Sequence, residues 1–216
     1  MTRIILSIII LISISTVANA QFTKGSAVLG GTFSFGSNKN MSDVTPEKSS
    51  TSSGSFNVSL GKAIRENSLL GIFITYQYNS REYNMGYAPG KDNSNGYGIG
   101  LFYRIYKNLG KEFYLFGEVG GGYQGSGSNS YDSSGNKTST GNTYGGQIYL
   151  YPGVAYKVSR KFFIELSIPQ LFNAAYSHGN TKSGGVNSSS SDFFYVDANL
   201  NSNPLSNIGI GFRLVL

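Results

Sequence analysis

Apolar and polar side chains alternate with a period of two through most of this chain, and that period predicts strands. Eight are expected: about Ser26 to Gly36, Ser55 to Ile64, Ser68 to Asn79, Gly96 to Tyr106, Glu112 to Tyr123, Thr143 to Lys157, Lys161 to Tyr176, and a last one ending at Leu216. In the second, Phe56, Val58 and Leu60 share a face opposite Ser55, Asn57, Ser59 and Gly61. The third sets Leu70, Ile72, Ile74, Tyr76 and Tyr78 against Gly71, Phe73, Thr75 and Gln77, and the fourth sets Tyr97, Ile99, Leu101, Tyr103 and Ile105 against Gly98, Gly100, Phe102 and Arg104. The last repeats this with Ile208, Ile210, Phe212, Leu214 and Leu216 against Gly209, Gly211, Arg213 and Val215. Phe194 to Leu200 also alternates, but Ser202-Asn203-Pro204 interrupts it, so the last strand is either one long bulged strand or a separate hairpin.

The connections come in two sizes. Arg65 to Asn67, Lys107 to Lys111 and Val158 to Arg160 are short. Ser37 to Gly54, Ser80 to Asn95, Gln124 to Asn142 and roughly Ser177 to Ser191 are expected as long loops rich in Ser, Asn and Gly. Strict long-short alternation is what a meander gives when one rim faces a confined space and the other open solvent.

Alternation alone fits two opposite objects, a soluble barrel with its aliphatic face inward and a membrane barrel with that face in lipid. The second face separates them. It carries Gly, Ser, Thr, Gln, Tyr and a few charges, where a water-exposed sheet would be studded with Lys and Glu. Charged residues make up only 13% of the 216, against a usual level of about 25%. Small, hydrogen-bonding residues suit the bore of an eight-stranded barrel, which is only wide enough for side chains to fill. The expected fold is therefore all-β, an eight-stranded up-and-down antiparallel transmembrane barrel. Aromatic rings fit it: Tyr76, Tyr78, Tyr97, Tyr123 and Tyr144 fall near the long-loop ends of their strands, and Tyr103, Phe113, Tyr156 and Phe212 near the short-turn ends. Two such belts mark the two membrane interfaces. Lys62 shares the lipid-face parity and lies beside the Arg65 turn, from which its ammonium reaches headgroups.

The start of the chain is a different object. Arg3, an apolar run from Ile4 to Ile14, and Ala18-Asn19-Ala20 read as a secretory leader cut before Gln21. Residues 1–20 are set apart as the leader and 21–216 as one barrel domain. The apolar run is shorter than the roughly 20 residues a spanning helix needs. With no Cys in the chain, the exported domain holds itself together by packing and backbone hydrogen bonds alone. The net charge is +6, but its Lys and Arg are scattered, which excludes a nucleic-acid footprint and leaves weak attraction to anionic headgroups.

Counted from the turns, Arg104, Glu165 and Arg213 point inward near the short-turn end, and Glu118 points inward nearer the middle. Charges in a narrow bore must find partners. A Glu165 to Arg213 bridge joined by Arg104 is expected, plugging that end. Catalytic signals are weak. The one histidine, His178, stands beside Ser177 at the expected start of a loop, and adjacent strand residues face opposite ways. Gly120-Gly121-Gly122 and Gly96 to Gly100 lack the helix a phosphate loop needs. Asp43, Glu47, Asp92 and Asp132 are isolated, so neither a metal nor any other cofactor is expected.

Three stretches carry a resemblance: Gln21 to Gly36 (QFTKGSAVLGGTFSFG), Tyr151 to Gln170 (YPGVAYKVSRKFFIELSIPQ), and the closing NIGIGFRLVL. Over nearly all of residues 21–216 the chain resembles the small outer-membrane β-barrel proteins of Gram-negative bacteria, particularly the porin-like barrels common in Bacteroidetes. The resemblance implies an outer-membrane address after export through the periplasm. It also implies outer-membrane lipid as surroundings, and periplasmic chaperones and the barrel-insertion machinery as partners in assembly. Such proteins commonly end on an aromatic residue; here the last residue is Leu216 and the nearest aromatic is Phe212. The function expected is non-enzymatic, in envelope structure or surface interaction through the long loops, whose partner the sequence does not name. A narrow porin-like channel and a secreted lipocalin-like binder stand as alternatives.

Overall fold

The computed structural model describes residues 22–41, 48–84, 89–167, 171–184, 186–198 and 209–216. The leader expected over residues 1–20 lies outside them, as do Asp43, Glu47 and the Ser202-Asn203-Pro204 interruption.

The described strands are β1 (Ala27–Met41), β2 (Lys48–Arg65), β3 (Ser68–Asn84), β4 (Pro89–Gly110), β5 (Phe113–Tyr131), β6 (Lys137–Lys157), β7 (Phe162–Ser167), β8 (Phe172–Ser183), β9 (Val186–Asp197) and β10 (Gly209–Val215). From β1 to β6 each pairs antiparallel with the next. β6 then bonds β7, β7 bonds β10, and β10 returns to β1, which closes a ring of eight. β7 and β8 lie end to end along β6: Gly153 faces Ser167 and Leu150 faces Phe172. Four residues intervene on one side and two on the other, so the strand expected over Lys161 to Tyr176 is described as two, β7 and β8. The divided stretch contains Pro169, which has no N–H to give a ladder. β9 bonds β8 and β10 bonds β7.

The stretches expected as long loops are mostly strand. The β1–β2 ladder runs unbroken from Ala27 opposite Lys62 to Met41 opposite Lys48, and β3 pairs with β4 out to Asn84 opposite Pro89. Ser, Asn and Gly favour turns because they tolerate or cap bent backbone. A ladder already fixed lower down needs only backbone groups to continue, and cross-strand polar pairs help it. Ser34 and Ser55 hydroxyls meet at 2.7 Å, and Lys91 Nζ lies 2.8 Å from Glu82 Oε1, holding that exposed carboxyl below its usual range. At the other rim the turns are tight. Lys111 and Glu112 both have positive φ, at 49° and 66°, the backbone of a two-residue type I′ turn without glycine at its centre.

The barrel is apolar outside. Ile72 is 51% and Leu101 62% exposed, whereas inward-facing Phe102 is 2% exposed. Phe22, Leu69, Phe73, Phe116 and Phe163 are likewise buried, so the short-turn half of the bore is packed with rings rather than with the small polar residues the sequence pattern suggested. Two glycines make room for them. Gly61 faces Gly71 across the β2–β3 ladder, and the Phe102 ring lies over both. A Cβ on Gly71 would come within 2.6 Å of the Gly61 Cα and of the Phe102 ring. Gly71→Ala is expected to cost about 1–3 kcal/mol by overpacking, measured as a lower urea midpoint of the barrel refolded in lipid vesicles. Gly117→Ala, where nothing lies within 4 Å of the added carbon, is the control, and equal midpoints would refute the packing role.

Candidate functional site

The inward parity of four strands brings two guanidinium groups and two carboxylates to one level of the bore. β4 supplies Arg104, β5 supplies Glu118 directly opposite it, β7 supplies Glu165 and β10 supplies Arg213. Arg213 faces Gly30 of β1, where any side chain would strike its guanidinium, and Glu165 faces Ala155 of β6 and Gly211 of β10. Small residues opposite large charged ones let the heads meet at the centre.

Arg104 is the hub. Its Nε donates to Glu118 Oε2 at 2.7 Å, and its Nη1 donates to Glu165 Oε1 at 2.7 Å and Oε2 at 2.6 Å. Its Nη2 reaches the Tyr151 hydroxyl at 3.1 Å, and its Cζ lies 4.1 Å from the Phe116 ring centroid. Arg213 donates from Nε to Glu165 Oε2 at 3.3 Å and from Nη1 to Ser59 Oγ at 2.7 Å, and its Nη2 is 3.5 Å from Glu118 Oε2. The Tyr106 hydroxyl donates to Glu165 Oε1 at 2.8 Å, while Tyr149 and Tyr151 donate to Glu118 Oε1 at 3.1 and 2.6 Å. All four charged residues are buried, Arg104 completely.

Two positive and two negative charges cancel, and every carboxylate oxygen is engaged. A carboxylate so occupied has no oxygen left to take a proton from a substrate. The four charged groups satisfy one another across the bore. Above them, a polar vestibule of about 410 Å³ opens toward the long-hairpin end, lined by residues including Ser34, Ser55, Gln77, Gly96 and Ser126.

Sequence reasoning missed four members of this cluster, Ser59, Tyr106, Tyr149 and Tyr151. Their inward parity was visible; that the three tyrosine hydroxyls converge on the two glutamates, and that of Ser59 on Arg213, depends on barrel closure. The ring of Phe22, buried 4.7 Å from Tyr106, was also missed, because it precedes the first periodic stretch. Of the expected interface rings, Tyr76, Tyr78, Tyr97, Tyr123, Tyr144, Tyr156 and Phe212 are exposed on the outward face, and Tyr103 is half-buried there. His178 is not in a loop. It stands in β8 directly opposite Asp192 of β9, on the outward face with Tyr144, while Ser177 turns toward the bore. Among the described residues no group of three His, Cys, Asp or Glu is placed to hold a metal.

Closed ring, outward aliphatics and inward charges define the class: an eight-stranded up-and-down antiparallel transmembrane β-barrel. No family model matches the sequence, and a comparison with curated proteins finds no match. Solved structures do match in fold. The outer membrane protein OprG from Pseudomonas aeruginosa is 12% identical with a TM-score of 0.50, covering 92% of this chain and 99% of that one. Neisserial surface protein A (13%, 0.41; 89% and 98%) and Ail, the attachment invasion locus protein of Yersinia pestis (10%, 0.40; 89% and 100%), are more distant in superposition.

Proposed function

We propose that this chain is an integral outer-membrane barrel with a sealed bore, which works through its outer wall and long hairpins in envelope structure or surface interaction. One observation carries the reading: the chain exposes its aliphatic residues outward and buries a neutral, fully hydrogen-bonded set of charges inside. Such a surface is stable only in lipid, since an apolar band all round a protein in water is an aggregation site. The fold shared with OprG supports an outer-membrane address. The narrower kinship with Bacteroidetes porin-like barrels rests on the sequence stretches alone. Outer-membrane lipid, periplasmic chaperones and the barrel-insertion machinery follow as partners of such a protein.

The lipocalin-like alternative needs the aliphatic face turned inward, opposite to the burial described. A narrow channel is the second reading, and the polar vestibule favours it. Unheated and boiled samples on a detergent gel, with membrane fractionation, test the first: a heat-dependent mobility shift and outer-membrane partitioning are expected, and soluble behaviour without a shift would refute it. Single-channel recording in planar bilayers separates sealed from conducting. No steady large conductance is expected, and its presence would overturn the seal.

A further inference from the structure

The β8–β9 ladder places a serine, a histidine and an aspartate in line on the outer wall. His178 Nδ1 lies 2.9 Å from Asp192 Oδ1, and His178 Nε2 lies 3.4 Å from Ser190 Oγ. Asp192 is the direct cross-strand partner of His178, and Ser190, two residues before Asp192, shares its face. Two further contacts fix the imidazole. The Tyr176 hydroxyl donates to Asp192 Oδ1 at 2.8 Å, and the Tyr144 ring packs on His178 with centroids 5.2 Å apart.

We propose that Ser190, His178 and Asp192 form a hydrolytic triad for acyl esters of membrane lipid. The order of contacts is the one nucleophilic catalysis needs, with a hydroxyl beside a base whose second nitrogen is held by a carboxylate. Asp192 accepts from Nδ1–H, which leaves the Nε2 lone pair toward Ser190. The 3.4 Å approach is within the range from which unliganded sites tighten on substrate. Ser190 Oγ adds to the ester carbonyl carbon as its proton passes to His178 Nε2. The carbon–alkoxide bond then breaks, and the alcohol leaves with that proton. Water adds to the acyl-serine, giving a proton to Nε2, and the fatty acid departs as that proton returns to Ser190 Oγ. β9 has β8 on one side and no strand on the other among the described residues, so of any two adjacent N–H groups near Ser190 one points away from the ladder. Such a group is placed to receive the developing oxyanion.

The surroundings choose the substrate. All three side chains face outward beside Tyr144, one of the interface rings. Below them on the same face of β9, toward the apolar band, come Phe194, 74% exposed, and Val196, 56% exposed. An acyl chain lies along that apron with its ester at the level of Ser190. The activity would replace the expectation of a non-enzymatic barrel. It rests on the membrane placement proposed above and not on the sealed bore.

The test uses the full barrel refolded in detergent and in vesicles, with the gel mobility shift confirming that each variant is folded. The probes are an alkyl fluorophosphonate read by intact-protein mass, diacyl phospholipid vesicles read by fatty-acid release, and soluble p-nitrophenyl acetate. One adduct at Ser190 is expected. Ser190→Ala should lose the adduct and about 100-fold or more of the fatty-acid release, and Ser177→Ala should keep both. Asp192→Asn, acting through the imidazole, should lower kcat with KM unchanged. Folded wild-type protein with no adduct and no release above Ser190→Ala overturns the triad. Hydrolysis of p-nitrophenyl acetate without fatty-acid release overturns the lipid substrate. A wild-type barrel that fails to shift or to enter vesicles refutes the membrane reading instead, and with it the lipid substrate.

Discussion

Glu165→Gln is expected to destabilise the barrel by about 3–5 kcal/mol, although it changes one atom of one side chain. Glu165 accepts from both Arg104 and Arg213 and from Tyr106. An amide in its place donates from one end and carries no charge, so two buried guanidinium groups must share Glu118. The charge of the cluster rises from zero to +1 where water cannot solvate it. Adding Arg213→Met restores neutrality and keeps apolar bulk over Phe102, so the double variant should be more stable than the single one. Urea titration in lipid vesicles, scored by the gel shift, reads all three proteins. A single variant within 1 kcal/mol of wild type, or a double variant that loses the sum of two independent costs, would show that the four charges do not act as a unit.

That coupling explains what the sequence could and could not disclose. Parity along one strand tells which way a side chain points, so Arg104, Glu118, Glu165 and Arg213 were legible as inward residues. The eight-membered ring was legible too, from aliphatic residues every second position and from turns such as Lys107 to Lys111. Level within the bore was not legible, because it depends on how far each strand is sheared against the next. Tyr106 and Tyr151 hydroxyls reach Arg104 from positions two and 47 residues away, and only closure decides that they meet. The hairpins were misjudged for a related reason: Ser and Asn rank as turn formers locally, but the ladder below them continues through their backbone. His178 is the clearest case. Its immediate neighbour Ser177 faces the other way, while its contacts Ser190 and Asp192 lie 12 and 14 residues on, in register only because β8 and β9 form a hairpin.

Phe22→Ala is the complementary prediction, a large loss of stability without opening the bore. The segment before β1 folds back across the short-turn rim. The Gly25 N–H donates to the Ala63 carbonyl at 2.7 Å, and the Asn67 N–H donates to the Phe22 carbonyl at 3.3 Å. The Phe22 ring then enters the end of the bore, fully buried, 4.7 Å from the Tyr106 ring and 5.3 Å from that of Phe163. Removing a buried phenyl costs about 3–5 kcal/mol where the walls cannot collapse into the space, and hydrogen-bonded strands hold these walls apart. Tyr106 loses its support from below, yet its hydroxyl is still held by Arg104 and Glu165. The charged layer therefore stays assembled. The expected result is a urea midpoint lowered to a degree comparable with Glu165→Gln, with bilayer conductance as low as in wild type. A steady conductance in Phe22→Ala would mean that the ring, rather than the four charges, closes the barrel. An unchanged midpoint would mean that the fold-back rests on its backbone hydrogen bonds alone.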